Sequence, residues 1–345
     1  MSKYFDPQLI NSPFDDPGLF VDLVFERRAL LFDLGDISRL APRKLLRIAN
    51  IFITHRHLDH FIGFDQLLRC FLGREKIIGL LGPPGLIDAV ETKIAAYDWN
   101  LVTGYDGNLQ LHVSELGLDQ RLTSVRFCGA DRFRRDNVGS RVCEDGVFIS
   151  DPSFQVRAIF VDHGYPILAF ALQERARINI WRSRVEAMGL VVGPWLNSFK
   201  EAILSGKDEN EPIPVVWADQ GQTRPQTVPL GQLRSRIMKI TKGRKLAYVV
   251  DVAYSQANVD AIVSLASGAD ILFIESPFLD EDVAQAATRK HLTARQAGQI
   301  ARFAKAKQVR TFHYSPRYRG REAELIQEAQ SAFRMGSATE PDIDG

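Results

Sequence analysis

Cysteine and long apolar runs are both scarce in this chain. Its three cysteines, Cys70, Cys128 and Cys143, lie far apart and form no CxxC pair. This spacing argues against a disulfide framework or a thiolate zinc site and fits a reducing compartment. No apolar run approaches the length of about eighteen residues that a membrane span needs, and the first residues lack the basic-then-apolar layout of a signal peptide. We therefore expect a cytoplasmic protein with no membrane partner.

An excess of charge of either sign is also absent. The 43 basic and 42 acidic residues leave a formal net charge of +1, so any nucleic-acid partner would need a local basic surface. Hydrophobic residues make up 45% and charged residues 25% of the chain, which excludes wholesale disorder. The 345 residues are enough for two small domains or one large α/β unit.

Short β-rich runs alternate with helix signals over most of the chain. Strands are predicted at residues 21–25, 29–33, 51–54, 76–81, 109–113, 125–127, 147–149, 155–161, 167–172, 246–250, 271–274 and 309–312. Helices are predicted at residues 86–97, 180–188 and 293–307, the last with Thr293 and Gln296 as a capping box.

The regular pattern is interrupted between residues 174 and 245. This tract is polar and contains prolines, and residues 231–245 hold six basic residues and no acidic ones. We interpret residues 174–245 as an insertion within a single domain that spans residues 1–345. The basic run is either a solvated surface or a patch that contacts phosphate.

Three of the seven histidines fall in one short segment, residues 54–60, with the sequence THRHLDH. Residues two apart cannot share a helical face, so a loop at the end of a strand suits His55, His57, Asp59 and His60 better. In such a loop the side chains can converge on a cavity. Imidazole and carboxylate together suit zinc, manganese or iron, and the lack of thiolates disfavours a purely structural zinc site.

The other candidate ligands also lie at the ends of predicted elements. His163, His291 and His313 each lie at an expected strand end or just before a helix, and Asp251 follows a strand. A lone histidine in such a place is more often structural. Because a metal-type loop is present in the same chain, we interpret these residues as functional.

The order of these residues resembles a known family. The pattern HxHxDH at residues 55–60, followed by His163, Asp251 and His313, is similar to the metallo-β-lactamase fold. Flanking motifs resemble the ribonuclease Z family of tRNA 3′-end-processing endonucleases: LFDLGD at 31–36, GPPG at 82–85, HLT at 291–293 and HYSPRY at 313–318. The resemblance covers nearly the whole chain except residues 197–240. It implies an α/β fold, a four-layer αββα sandwich, and commonly a homodimer.

The resemblance also implies a two-metal site, with zinc as the expected metal and manganese or iron as alternatives. His55, His57 and His163 would hold the first ion, Asp59, His60 and His313 would hold the second, and Asp251 would bridge them. Two first-row ions need about this many nitrogen and oxygen ligands.

Further roles are implied for residues around the metals. His291 would donate a proton to the leaving ribose oxygen, with Glu275 orienting it, and Asp59 belongs to the same catalytic group. Asp33 is either a support for a ligand imidazole or a simple turn residue. Gly85, at a helix start, and Arg317 are candidates for contacts with substrate phosphate, with helix punctuation and a structural salt bridge as the alternatives.

Three departures from the family pattern bear on these expectations. Val252 follows the bridging aspartate where the family usually has threonine, and Glu275 is all that remains of the family's HEAT-like motif. The family's long Gly-rich, basic arm has a divergent counterpart at residues 174–245, which keeps only a Gly193-Pro194 pair.

The sequence thus predicts a metal-dependent phosphodiesterase that removes the 3′ trailer of precursor tRNA endonucleolytically, using a water activated by two metals. The alternative is a hydrolase of the same fold that acts on a small phosphodiester or another ester. A metal-loaded, non-catalytic RNA-binding or assembly subunit and a redox di-iron protein are further alternatives.

Overall fold

The computed structural model describes residues 4–219 and 222–335. It divides into two compact units, of which the larger comprises Met1–Glu174 and Arg244–Gly345 and the smaller Arg175–Gly243. Within the described ranges, no helix has both the length and the apolar character needed to cross a membrane.

The first sheet of the larger unit contains eight strands that follow one another in chain order. The three central pairings, from the third strand to the sixth, are parallel, and the outer pairings are antiparallel. The strands are β1 (Phe5–Leu9), β2 (Leu19–Leu23), β3 (Arg28–Phe32), β4 (Ile48–Phe52), β5 (Lys76–Gly82), β6 (Leu109–Leu116), β7 (Arg121–Cys128) and β8 (Arg135–Val142).

The second sheet of the larger unit contains six strands. They are β9 (Val147–Ser150), β10 (Phe154–Asp162), β11 (Pro166–Glu174) and, after the four strands of the smaller unit, β16 (Lys245–Val249), β17 (Ile271–Glu275) and β18 (Val309–Phe312). Their order across the sheet is β18-β17-β16-β11-β10-β9. The last three in the chain pair in parallel, and the other pairings are antiparallel.

Alternate residues of the buried strands point to opposite faces, as the two-residue repeat of a strand requires. In β3, Leu30 and Phe32 pack between the two sheets, whereas Ala29 and Leu31 pack on the outer face of the first sheet. Aromatic rings fill much of the space between the sheets: the ring centroids of Phe32 and Phe52 are 4.9 Å apart and those of Phe32 and Phe170 are 5.9 Å apart.

Helices cover the outer face of each sheet. The described helices are α1 (Pro42–Leu45), α2 (Leu58–Phe61), α3 (Phe64–Phe71), α4 (Leu86–Ala95), α5 (Arg182–Ala187), α6 (Trp195–Leu204), α7 (Leu230–Ile237), α8 (Gln256–Ala266), α9 (Val283–Thr288), α10 (Ala294–Phe303) and α11 (Glu322–Arg334). Buried side chains of α1, α2, α3 and α4 join the apolar cluster outside the first sheet, and those of α8 and α10 join the cluster outside the second. The predicted αββα sandwich is confirmed.

The smaller unit has a core of its own. Val185, Phe199, Leu233 and Ile237 are fully buried in its apolar cluster. Its strands form two antiparallel pairs, β12 (Arg177–Ile180) with β15 (Met238–Thr241), and β13 (Pro212–Asp219) with β14 (Gln222–Pro229). The basic run predicted at residues 231–245 lies largely on α7 and β15, while residues 220 and 221, which fall within the predicted insertion, lie outside the described residues.

The topology brings several chain segments to one edge of the larger unit. Strands β10 and β16 are both antiparallel to β11, and β16, β17 and β18 are parallel to one another. The carboxyl ends of β10, β16, β17 and β18 therefore lie at the same edge. His163, Asp251 and His313 follow β10, β16 and β18, and Glu275 is the last residue of β17. The loop after β4 arrives at the same edge, where the backbone N–H of Leu168 donates to the carbonyl of Thr54 over 2.9 Å.

Candidate metal centre

The histidine-rich segment forms a loop that turns directly into the short helix α2. His57 is the cap residue of this helix, and Asp59 and His60 lie in its single turn. Gly35 packs against the loop so closely that a β-carbon on it would lie 2.5 Å from the carbonyl oxygen of Asp59. The close approach explains why a glycine occupies that position.

A first group of potential metal ligands contains His55, His57, His163 and Asp251. One ligand atom from each lies within 4.8 Å of the others. The Nε2 atoms of His55 and His163 lie 3.3 and 3.8 Å from Oδ2 of Asp251. These are the residues that the family resemblance implied for the first ion and for the bridge.

A second group contains Asp59, His60 and His313, with the same 4.8 Å limit between their ligand atoms. Asp251 borders this group too, since its Oδ2 is 3.5 Å from Nε2 of His60 and its Oδ1 is 2.9 Å from Nδ1 of His313. The Asp251 carboxylate therefore lies between the two groups, in the position that a bridging ligand requires.

The backbone is strained at three of the residues that build this centre. Asp33, Asp251 and His313 follow strands and adopt φ values of 58°, 52° and 61°. Residues with a β-carbon disfavour this left-handed region by about 1–2 kcal/mol. Such strain persists only where surrounding contacts fix it, and it is typical of functional sites.

The donor atoms fit divalent cations. Nε2 of His55, Nε2 of His60, Nδ1 of His313 and Oδ1 of Asp251 are buried, and none of them makes a well-aligned hydrogen bond among the described residues, although the last two lie 2.9 Å apart. Buried polar atoms are normally paired, so a cation held between these four converging atoms would satisfy them. Imidazole and carboxylate are ligands that first-row divalent ions accept.

The charge states of the imidazoles differ between the two groups. Burial lowers the pKa of His55, His57 and His163, which keeps these rings neutral and able to coordinate a metal at neutral pH. Burial also acts on His60, but the carboxylates of Asp33 and Asp251 outweigh it and raise the pKa of His60 to about 10. The second group thus favours a positive charge at this place.

The Asp251 carboxylate is the negative centre of the site. Burial acts to raise its pKa, but the imidazoles of His313 and His60 hold the pKa of Asp251 well below its usual range. An ionised, fully enclosed carboxylate between two sets of imidazoles is suited to two cations rather than to none.

His291 and Glu275 form a hydrogen-bonded pair beside the metal ligands. Nδ1 of His291 is 2.8 Å from Oε2 of Glu275, and Oε1 of Glu275 accepts from the backbone N–H groups of Val252 and Leu292 over 2.9 and 3.1 Å. Burial lowers the pKa of His291, but the Glu275 carboxylate outweighs it and raises that pKa above its ordinary value.

The same pair belongs to a third possible ligand group, formed by Asp251, Glu275, His291 and His313. Both carboxylate oxygens of Glu275, however, are already engaged by protein donors. We therefore place Glu275 as a support for His291, and the position of Nε2 in the His291 ring leaves that atom available for a substrate.

Asp33 holds His60 of the second group through a network of hydrogen bonds. The sequence predicted a role for Asp33 but not all of its partners. Oδ2 of Asp33 lies 2.9 Å from Nδ1 of His60, and Oδ1 accepts from the backbone N–H and the hydroxyl of Thr54 over 2.7 and 2.9 Å. The hydroxyl of Tyr248 donates to Oδ2 over 3.0 Å. Thr54 adjoins the histidine motif and could have been found from it, whereas no local signal pointed to Tyr248.

The structure does not favour the two expected phosphate contacts. The backbone N–H groups of Gly85 and Ile87, at the start of α4, donate to Oε2 of Glu115 over 2.9 and 3.1 Å, so a protein carboxylate already occupies the place of an anion. The guanidinium of Arg317 is engaged by Asp282 and Gln285. A salt bridge, the alternative considered for Arg317, is what the structure contains.

Val252 contacts Glu275 through its backbone N–H, and its side chain takes no part in that contact. Its side chain is fully buried in the apolar cluster under the second sheet, and its N–H binds Glu275. Where the family usually has the hydroxyl of a threonine, this chain therefore has an apolar side chain packed in the core. The main-chain N–H of Val252 helps to hold Glu275 in place.

Known proteins are similar to this chain in sequence. Ribonuclease Z of Treponema denticola is 30% identical over 311 residues, which cover 88% of this chain and 83% of the relative. Ribonuclease Z of Anoxybacillus flavithermus is 30% identical over 325 residues, which cover 91% and 86%. No family model matches the chain.

Solved structures agree in fold. The short form of human tRNase Z superposes with a TM-score of 0.51 at 19% identity, over 91% of this chain and 93% of that protein. The metallo-β-lactamase fold protein YhfI of Bacillus subtilis superposes with a TM-score of 0.53 at 13% identity, over 95% and 92%.

The αββα sandwich is the metallo-β-lactamase fold, and the paired groups of histidine and aspartate at its edge could hold metal ions. Within that fold, the extent and the level of sequence identity to known proteins identify the family. The chain belongs to the ribonuclease Z family, and the predicted family is confirmed.

Proposed function

We propose that this protein removes the 3′ trailer of precursor tRNA by endonucleolytic hydrolysis. The oxygen of water would join the scissile phosphorus, and the bond from phosphorus to the ribose 3′-oxygen would break. The products would be a tRNA with a free 3′-hydroxyl and a trailer with a 5′-phosphate. Membership of the ribonuclease Z family supports this substrate.

The observation that carries the proposal is the His291–Glu275 pair next to the two ligand groups. Glu275 holds Nδ1 of His291 at 2.8 Å, which fixes the ring and favours its protonated form. Nε2 can then give a proton to the leaving 3′-oxygen, a step that contributes about 10²–10⁴ in rate when a side chain performs it.

We propose zinc as the metal, with two ions per chain. Support comes from five imidazoles and two carboxylates in the two groups that meet at Asp251, a donor set that suits zinc. When bound, two such ions supply Lewis-acid polarisation of water and of the phosphoryl oxygens. His55, His57 and His163 would hold the first, Asp59, His60 and His313 the second, and Asp251 both.

Residues of the smaller unit are candidates for contacts with the RNA backbone. Arg236, Lys239 and Lys242 are exposed, and none of their side-chain cations forms an ion pair with a residue in the described part of the chain. We propose that these side chains contact phosphates, so binding of precursor tRNA should weaken steeply as salt is raised.

The test uses metal-loaded protein with a precursor tRNA that carries a 3′ trailer, and in parallel bis(p-nitrophenyl) phosphate. Each substrate is incubated with and without a chelator, and the RNA products are mapped to the nucleotide. Cleavage at one position next to the acceptor stem, lost with the chelator, is the expected result.

Two other outcomes would contradict the proposal in different ways. Turnover of the small diester with intact tRNA would keep the hydrolase and move its substrate to a small phosphodiester. Cleavage of neither substrate by fully metal-loaded protein would show that the site does not serve phosphoryl transfer.

A further inference from the structure

A cavity of about 540 Å³ opens beside the first ligand group and is not used by any step described above. His57 forms part of its wall, together with Arg56, Tyr165, Pro84 and Leu118. Sites for small ligands commonly have volumes of about 300–1,000 Å³ and combine apolar walls with a few polar groups. This cavity has both properties and directly adjoins a metal ligand.

Tyr165 presents an aromatic ring at the boundary between this cavity and the ligands. Its ring centroid lies 5.6 Å from that of His57 and 6.2 Å from that of His55. The residue is 41% exposed, and its hydroxyl forms no hydrogen bond with a described residue. In proteins that bind single-stranded nucleic acid, accessible aromatic rings are platforms on which bases stack.

Arg56 supplies an unpaired cation to the same cavity. It lies between two ligand histidines in the sequence and is exposed, and its side chain forms no ion pair or hydrogen bond within residues 4–219 and 222–335. The guanidinium lies across Gly85, since a β-carbon at Gly85 would be 3.1 Å from Cζ of Arg56. Gly85 has a φ of 83°, so glycine allows both the turn and the position of the guanidinium.

A second cavity, of about 290 Å³, borders the two ligand groups at another place. His291, Asp59 and His313 form part of its wall. If His291 protonates the leaving 3′-oxygen, the nucleotide that owns this oxygen lies on the side of His291. The nucleotide that keeps the phosphate on its 5′-oxygen then extends toward His57, and hence toward Tyr165 and Arg56.

We propose that the cavity of Tyr165 and Arg56 binds the first trailer nucleotide, with its base stacked on the Tyr165 ring and its following phosphate paired with Arg56. This assignment rests on the proposed function, because it takes His291 as the donor to the leaving oxygen. The ligand class is a nucleoside 5′-phosphate.

The test separates base recognition from tRNA recognition. Two diesters are compared, both with p-nitrophenolate as leaving group: uridine 5′-(p-nitrophenyl phosphate) and the same sugar ester without a base. In each, the oxygen of water joins phosphorus, the bond to p-nitrophenolate breaks, and the sugar 5′-monophosphate remains. The quantity measured is the ratio of the two kcat/KM values, in which effects on metal content or on the chemical step cancel.

Wild-type protein should prefer the base-bearing ester by roughly tenfold, the effect expected from stacking of one base. Tyr165→Ala should bring the ratio close to one, while Tyr165→Phe should preserve it. Tyr105→Ala is the matched control, because Tyr105 is 48% exposed but is not part of this cavity, and it should keep the wild-type ratio. A wild-type ratio near one, or a ratio that survives Tyr165→Ala, would overturn the proposal.

Arg56 is tested with a third ester that carries an additional 3′-phosphate. Wild-type protein should prefer this ester to its 3′-hydroxyl counterpart several-fold at low salt, and Arg56→Ala should remove the preference. Arg43→Ala, a change at an exposed arginine on α1, should retain it. Equal preference in the Arg56→Ala and wild-type proteins would refute the phosphate contact.

Binding of uridine 5′-monophosphate, measured by calorimetry with the metal-loaded protein, provides a readout that needs no turnover. Tyr165→Ala should weaken this binding about tenfold. If precursor tRNA is not cleaved but the Tyr165-dependent affinity is found, the proposed function fails and the nucleotide site stands. Equal affinity in both proteins removes the site, whatever happens to tRNA.

Discussion

At the scale of single residues, the ligand imidazoles are oriented by the protein itself. Nδ1 of His60 is held by Asp33 at 2.9 Å and Nδ1 of His163 by the carbonyl of Lys290 at 2.8 Å. A ring held through one nitrogen presents the other in a fixed direction, and such supports also set its basicity. The same arrangement holds the ring of His291, the proposed proton donor, against Glu275.

The first prediction concerns His291 as the proposed donor of a proton to the leaving oxygen. His291→Ala should lower kcat for precursor tRNA by about 10²–10⁴, because the leaving oxygen loses its proton donor, while two metals stay bound. Metal content is measured by elemental analysis alongside single-turnover rates. A loss of metal in the variant would identify His291 as a ligand.

The support from Asp33 gives the second prediction. Asp33→Asn keeps the shape of the side chain and tolerates the left-handed backbone, but it removes the carboxylate that faces His60. Metal affinity should fall by about 10- to 100-fold, as is typical when a support of a ligand is lost. Competition with a chromogenic chelator measures the affinity.

Tyr248→Phe is the matched control for Asp33→Asn. It removes one hydrogen bond to Asp33, from a hydroxyl 3.0 Å away, and leaves the carboxylate and the contact with His60 in place. Its effect on metal affinity should be smaller than that of Asp33→Asn. The opposite order would show that the hydroxyl, and not the charge, holds the network.

At the scale of elements, the start of α10 fixes the segment that carries His291. Thr293 and Gln296 form the predicted capping box: the Thr293 hydroxyl accepts from the N–H of Gln296 over 3.2 Å, and the Gln296 side chain accepts from the N–H of Thr293 over 2.9 Å. The preceding residue, Leu292, is tied to Glu275 through its N–H. The helix cap and the residue that binds Glu275 are therefore adjacent in the chain.

Loss of this cap gives the third prediction. Thr293→Ala should lower the free energy of unfolding by about 0.5–2 kcal/mol, because the first turn of α10 loses an acceptor and Asp280 loses a donor at 3.0 Å. Urea denaturation of the metal-loaded protein measures the change. Thr293→Ser keeps the hydroxyl and should cost clearly less; equal losses would assign the effect to the lost methyl group.

At the scale of the whole molecule, the chain leaves the larger unit after Glu174 and returns to it at Arg244, and these two points are neighbours. The backbone N–H of Glu174 donates to the carbonyl of Arg244 over 2.8 Å, and β11 and β16 pair directly. The chain between these points contains its own apolar cluster. The larger unit therefore closes its second sheet with contacts of its own residues.

This closure gives the fourth prediction. Replacement of residues 175–243 by a short Gly-rich turn should leave a folded protein that binds metal and hydrolyses bis(p-nitrophenyl) phosphate within a fewfold of the wild-type rate. Cleavage of precursor tRNA should fall by at least about 10-fold if the basic residues of the smaller unit contact phosphates. Circular dichroism and both activity assays check the result.

A triple substitution keeps the smaller unit and tests its charge alone. Arg236, Lys239 and Lys242 are changed together to glutamine. The slope of the logarithm of the tRNA binding constant against the logarithm of the salt concentration should then become shallower, by the contribution of roughly three phosphate contacts. An unchanged slope would remove these residues from the interface. Homodimer formation stays a prediction, which light scattering of the same samples would test.

The sequence by itself determined what depends on local patterns and on their order. The HxHxDH loop, the strand-end positions of His163, Asp251 and His313, and the capping box of α10 are short-range signals. Together with the flanking motifs they were sufficient for the fold and the family. The histidine motif could be recognised from its spacing, since His55 and His57 cannot share a helical face. The expectation of a loop was wrong for Asp59 and His60, which lie in the turn of α2 because the chain turns into a helix directly after His57.

Tertiary structure decided which side chains meet across long stretches of chain. Tyr248 reaches Asp33 from 215 positions away, and Glu115 fills the helix start at Gly85 from 30 positions away. Such contacts are set by the packing of one sheet on another and by the register of neighbouring strands, which no single segment encodes. For the same physical reason, the cavity that joins Arg56 to Tyr165 became visible only in the folded chain.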